Sequence, residues 1–139
     1  MRSSLLRAFL ILPLALLAGA CGDNTTTPTT PTAPTLTTET FTGTVNINGA
    51  VTHSFAATST GTVTATLTSM SPDSTLTIGL AMGTWNGATC AIVLANDKAV
   101  RTSVVTGTLS SVAGNLCVRI FDVGGITEPT AYEVTVIHP

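Results

Sequence analysis

Three cysteines, two histidines and seven carboxylates are the side chains of this 139-residue chain that could do chemistry. A zinc site built on thiolates would need paired ligands at CxxC-like spacing. Cys21, Cys90 and Cys117 stand far apart. A nucleophilic thiol needs a histidine beside it and an activating environment. His53 and His138 show no dyad spacing with any cysteine. The acids Asp73, Asp97, Asp122 and Glu128 are scattered among turn residues, without the spacing of a calcium loop. Turn chemistry or solvation accounts for each of them. No nucleophile elbow is present, so the chain is not expected to be an enzyme. Trp85, in the turn-rich run GTWNGATC, is the only tryptophan. An indole there can stack on a sugar ring or anchor a protein contact. The plainer expectation is that it packs over a disulfide or plugs one end of the fold. His53 has the parity of the core side, between Val51 and Phe55, and is expected to be partly buried.

The first residues determine where such chemistry would happen. Arg2 and Arg7 open a run whose residues 5–17 are almost wholly apolar, and Ala18, Gly19 and Ala20 lead into Cys21. Residues 1–20 read as a secretory signal segment, too short to span a bilayer as a stable helix. A cysteine at the cleavage point resembles the lipobox of bacterial lipoproteins. The usual Leu three places before the cysteine is replaced by Ala18, with Leu17 one place further back. The resemblance implies that Cys21 carries a diacylglycerol and its freed amine often a third chain. At about 0.8 kcal/mol per buried methylene, two or three chains anchor a protein almost permanently. Gly22 rather than an acid follows Cys21, which points to the outer membrane or cell surface. The alternative is an ordinary signal cut after Ala20, leaving Cys21 a spare thiol.

With Cys21 acylated, Cys90 and Cys117 remain as an even pair in an oxidising compartment, where a disulfide is expected. Free structural thiols are the alternative.

Residues 21–38 form a Thr/Pro-rich tether, with Pro28, Pro31 and Pro34 at every third position. Such a run buries too little to offset its ordering entropy and reads as an extended spacer. From 39 to 139 Thr, Val and Gly dominate and apolar residues alternate at period two. Strands are expected over 40–47, 51–57, 61–70, 74–82, 89–95, 100–109, 115–123 and 131–137. Phe41, Val45 and Ile47 share a face of the first, and Leu76, Ile78, Leu80 and Met82 a face of the fourth. Eight short strands separated by Gly, Pro, Asn and Asp predict an all-β fold, a single antiparallel β-sandwich or jelly roll with one face of each sheet in water. Arg119 is expected on an outer face, paired with Glu133. Tyr132 is expected to be a structural tyrosine bonded to backbone. After Cys21 only Lys98, Arg101 and Arg119 face the seven acids, so no basic patch exists and nucleic acid is not an expected partner.

The second half of the chain resembles the bacterial pre-peptidase C-terminal (PPC) domain, a jelly-roll-like sandwich appended to exported proteins. Gly114, Leu116, Val118, Arg119, Ile120, Asp122, Tyr132, Val134 and Val136 occupy its closing strands, and Gly61, Val63, Ala65 and Leu67 an earlier one. The family's aromatic near Leu116 is missing and the cysteine pair is an addition. The resemblance implies a non-catalytic module that binds a polysaccharide or protein ligand, with no cofactor required and calcium as an alternative. A purely structural or assembly role in the envelope is the competing expectation.

Overall fold

The computed structural model describes residues 32–111 and 114–139. The signal segment, Cys21 and most of the tether lie outside the described residues. Eight strands follow in chain order: β1 (Thr37–Val45), β2 (Ala50–Ala57), β3 (Gly61–Ser71), β4 (Ile78–Trp85), β5 (Cys90–Ala99), β6 (Val104–Leu109), β7 (Gly114–Phe121) and β8 (Thr130–His138). They form two four-stranded sheets, ordered β1-β8-β3-β6 and β2-β7-β4-β5. Every pairing is antiparallel. The pairs β1·β8, β2·β7, β3·β6 and β4·β5 are those of one long hairpin folded at the β4–β5 turn. Rolling that ribbon adds β3·β8 and β4·β7 and produces the jelly roll.

Alternation builds the core. In β3, Val63, Ala65 and Leu67 are buried while the threonines between them face outward. Val134 and Val136 of β8 meet them in the same layer, and Ile78, Leu80, Val118 and Ile120 come from the other sheet. β-branched and aliphatic side chains at period two favour extended backbone and give each sheet one apolar face.

Several boundaries depart from the sequence reading, each for a local reason. β4 starts at Ile78, not at residue 74, because the Asp73 carboxylate accepts hydrogen bonds from the Thr75 N–H (2.8 Å) and hydroxyl (2.7 Å), closing a turn. Leu76 therefore precedes the strand and packs on the core from outside it. β6 starts at Val104, not at 100. Residues Val100 to Ser103 form a turn closed by the Ser103 N–H on the Val100 carbonyl (2.8 Å), with Thr102 at φ 77°. Ile47 does not share the buried face of β1. It stands in the Asn46–Gly49 turn, 51% exposed. That turn carries the chain from one sheet to the other rather than closing a hairpin.

The outer face of β4 is not wet. Gly79, Ala81 and Gly83 are buried along with the core-facing residues. The Phe121 ring lies over Gly79, and the Ala91 carbonyl lies where a Cβ on Gly83 would be. The start of β5 thus leans across β4 at Gly83, next to a register shift between Met82 and Gly83.

Candidate functional site

The lean of β5 places the cysteines. Cys117 on β7 pairs in register with Gly83. Cys90 on β5 pairs with Trp85. β5 and β7 are not neighbours in the sheet, yet Cys90 and Cys117 form a disulfide with Cα atoms 5.8 Å apart. The bridge passes over β4 where glycine leaves room. It ties an edge strand to a central one.

Trp85 is the last residue of β4, not a loop residue, and is partly buried opposite Cys90. The turn after it is closed by the Asn86 N–H on the Thr89 carbonyl (3.3 Å) and by the Asn86 side chain. The Asn86 Oδ1 accepts from the N–H groups of Ala88 (2.9 Å) and Thr89 (2.8 Å), while its amide nitrogen donates to the Thr89 hydroxyl (2.9 Å). Gly87 supplies the left-handed backbone at φ 96°. Trp85, Asn86 and Gly87 line an open groove with Ser54, Phe55 and Ala56 of β2 and Asn115 of β7. The floor has no charge. It offers the Trp85 indole, the Asn115 carboxamide, the Ser54 hydroxyl and the one Asn86 N–H that the turn leaves over, a set able to stack on a ring and exchange directional hydrogen bonds with hydroxyl groups.

Arg119 lies on the same sheet, two positions beyond Cys117 along β7. Glu133 lies on β8 in the other sheet, so the expected Arg119–Glu133 pair does not form. Glu133 instead accepts the Thr68 hydroxyl at 2.9 Å. The Arg119 Nε is buried without a hydrogen-bond partner.

A second cluster fills the side of the sandwich where the edge strands β1 and β2 approach. His53 stacks on Phe41 with centroids 5.0 Å apart, and its Nε2 is 2.8 Å from the Tyr132 Oη. Tyr132 is thus bonded to a side chain rather than to backbone, a correction to the sequence reading. Burial pushes the Tyr132 hydroxyl up to about 12 and holds His53 below its ordinary 6.5. The Phe55 ring lies tilted against His138, whose Nε2 is 2.9 Å from Glu39. The layer fills space and satisfies its own polar atoms. It gathers no activated nucleophile.

The acids are occupied locally. Asp122 accepts from the N–H groups of Asn48 (2.8 Å), Gly124 (2.7 Å), Gly125 (3.0 Å) and Ile126 (3.2 Å). The Asn48 bond is the chief cause that holds its carboxyl below the usual range. Asp73 is held low by Thr75. Among the described residues no three His, Cys, Asp or Glu side chains gather as metal ligands.

Sequence reasoning singled out Trp85 but missed Asn86, Asn115 and Ser54. The Asn86-Gly87 dipeptide, a turn signal directly after the indole, was the available clue. Ser54 and Asn115 come to the groove only through the β2·β7 pairing. The chain matches no protein-family model and no curated protein, so the groove and the aromatic layer stand on their own geometry.

Proposed function

We propose that this chain is a lipid-anchored protein of a bacterial cell envelope, held at Cys21 on the outer membrane or cell surface. There it displays a non-catalytic sandwich whose Trp85 groove binds a glycan. The observation that carries the reading is the composition of that groove: a partly exposed indole flanked by Asn86, Asn115 and Ser54, with no charge in the floor. Neutral sugars present apolar C–H faces and rings of hydroxyls, and this lining complements both. A protein hot spot would instead centre on an enclosed apolar pocket. The apolar segment ending at Cys21 supports the address.

Trp85 is the only tryptophan, so its emission reports on this site alone. Titrating envelope polysaccharides into the protein should quench or shift that emission. Trp85→Ala should abolish retention of the protein on the same polysaccharide in affinity electrophoresis, with the fold retained by circular dichroism. Equal retention of Trp85→Ala and wild type overturns the groove assignment. Mass spectrometry of the exported protein tests the anchor, which is refuted by an unmodified thiol on Cys21.

A further inference from the structure

We propose that a second copy of this chain docks on the β5 edge, forming a two-fold dimer centred on Val93. Among the described residues nine large hydrophobic side chains are exposed, and five of them lie on β5, β6 or the turn between. Ile92 is 42%, Val93 69%, Leu94 37% and Val104 50% exposed. β5 and β6 are the free edges of their sheets on this one side of the sandwich. Between them opens an apolar cavity of about 140 Å³, lined by Phe55, Met82, Leu109 and Leu116, with Val93 and Leu94 at its rim. An engineered apolar cavity of ~150 Å³ accepts a benzene-sized guest, so this one can take an aliphatic side chain. An apolar patch of this kind on a small protein marks a contact surface.

The occupant is argued from self-complementarity. A two-fold interface uses the same patch twice, so residue i meets j and j meets i. Residues 91–95 read Ala-Ile-Val-Leu-Ala. Antiparallel about Val93, Ala91 stands opposite Ala95 of the second copy, Ile92 opposite Leu94, and Val93 opposite itself. No charge lies between residues 89 and 96, nor between 102 and 111. The charged end, Asp97, Lys98 and Arg101, then falls beside the uncharged Trp85–Cys90 end of the other copy. Two acidic molecules can thus approach without opposing like charges. The register shift opposite Met82 and Gly83 leaves Val93 without a partner on β4. A bulge of this kind discourages simple extension of the main-chain ladder. The contact is therefore one of side chains, with Val93 meeting Val93 at the axis and Ile92 of each copy reaching Leu94 at the rim of the other's cavity. It closes on itself rather than growing into a fibre.

The test is a cysteine placed at the two-fold axis of the full-length chain, exported by a bacterial host and extracted in detergent. A residue on a two-fold axis meets its own copy, and a disulfide forms when the two Cα atoms come within ~4.4–6.8 Å. Val93→Cys should give a covalent dimer on a non-reducing gel. Thr42→Cys, exposed on the β1 edge, should not. Val93→Asp should weaken association about tenfold or more in sedimentation, since a charge would be buried at an apolar contact. Its circular dichroism should match wild type, because Val93 contributes little to the core. Equal cross-linking of Val93→Cys and Thr42→Cys overturns the proposal. So does a wild-type protein that sediments as a monomer, or a folded Val93→Asp that still dimerises.

Discussion

Removing the Cys90–Cys117 bridge should cost this small domain a large share of its stability. The bridge joins residues separated by 27 positions. In the chain-entropy account, closing a loop of that size restricts the unfolded chain by about 3–4 kcal/mol. A domain of ~100 residues has a total stability of ~5–15 kcal/mol, and each kilocalorie shifts its melting temperature by ~4–8 °C. Reduction, or Cys90→Ala with Cys117→Ala, should therefore lower the melting temperature by about 15–25 °C. The double substitution adds a packing loss at Cys117, which is fully buried, so the reduced wild type isolates the cross-link itself. Urea titration should be followed by two probes, Trp85 emission and far-ultraviolet circular dichroism. Trp85 stands opposite Cys90 and reads the bridge region, whereas the ellipticity reads both sheets. Coincident transitions with an unchanged slope and a midpoint lowered in proportion support loop closure as the source. A loss under about 1 kcal/mol would refute the reasoning. So would an early Trp85 transition with the rest of the fold unmoved. That pattern would mean the bridge only pins β5, whose residues are mostly exposed and of which Ala99 alone is fully buried.

Two further outcomes follow from the same geometry. Burial holds His53 below 6.5, so the unfolded chain takes up the proton first and stability falls as pH drops below about 6.5, levelling once the folded imidazole is itself protonated. Thermal melts between pH 8 and 5 should show that decline, and His53→Asn should flatten it; Asp73 and Asp122, held below their ordinary 3.8, contribute stability that is lost only at lower pH. Gly83→Ala should destabilise by about 1–3 kcal/mol, as overpacking does, because a methyl there overlaps the Ala91 carbonyl. It should also leave a fraction of Cys90 and Cys117 reactive to a thiol reagent in the exported protein, and complete protection of both would count against the crossing of β5 over β4.

The existence and order of all eight strands were legible because the chain repeats one simple pattern. Val63, Ala65 and Leu67 against Thr62, Thr64 and Thr66 can be read no other way at period two. What failed were the ends, at Ile78 and Val104, where a side-chain oxygen on Asp73 and Ser103 competes for backbone N–H groups that the ladder would otherwise use. Pairing across sheets was also invisible. Whether Arg119 can reach Glu133 depends on which sheet receives β7 and which β8, and no local pattern encodes that. The same holds for His53 and Tyr132, 79 residues apart in sequence and 2.8 Å apart in the fold. The cysteine pairing was accessible by counting, since setting Cys21 apart as the expected lipidated residue leaves one pair. The reason it can form was not, because it rests on Gly83 lying beneath the crossing strand.

The two open sides of the sandwich are finished in opposite ways, and the contrast bears on what each can do. Where β1 meets β2, Phe41, His53, Tyr132, Phe55 and His138 interlock, with Glu39 closing the end. Their polar atoms find partners inside the layer, so this side offers little to an outside molecule. Where β5 meets β6 the aliphatic side chains stay exposed over an unfilled cavity. Isolated edges of that kind are usually blunted by charge or proline. The run from Cys90 to Asn96 has neither. Beyond its ladder to β4 and the bulge in it, the strand is held by the disulfide, which fixes the start of β5 against β7. The same bridge backs Trp85 through Cys90. Both candidate surfaces, the indole groove and the aliphatic edge, are therefore held by one covalent link. Reducing it should disturb ligand retention and self-association together.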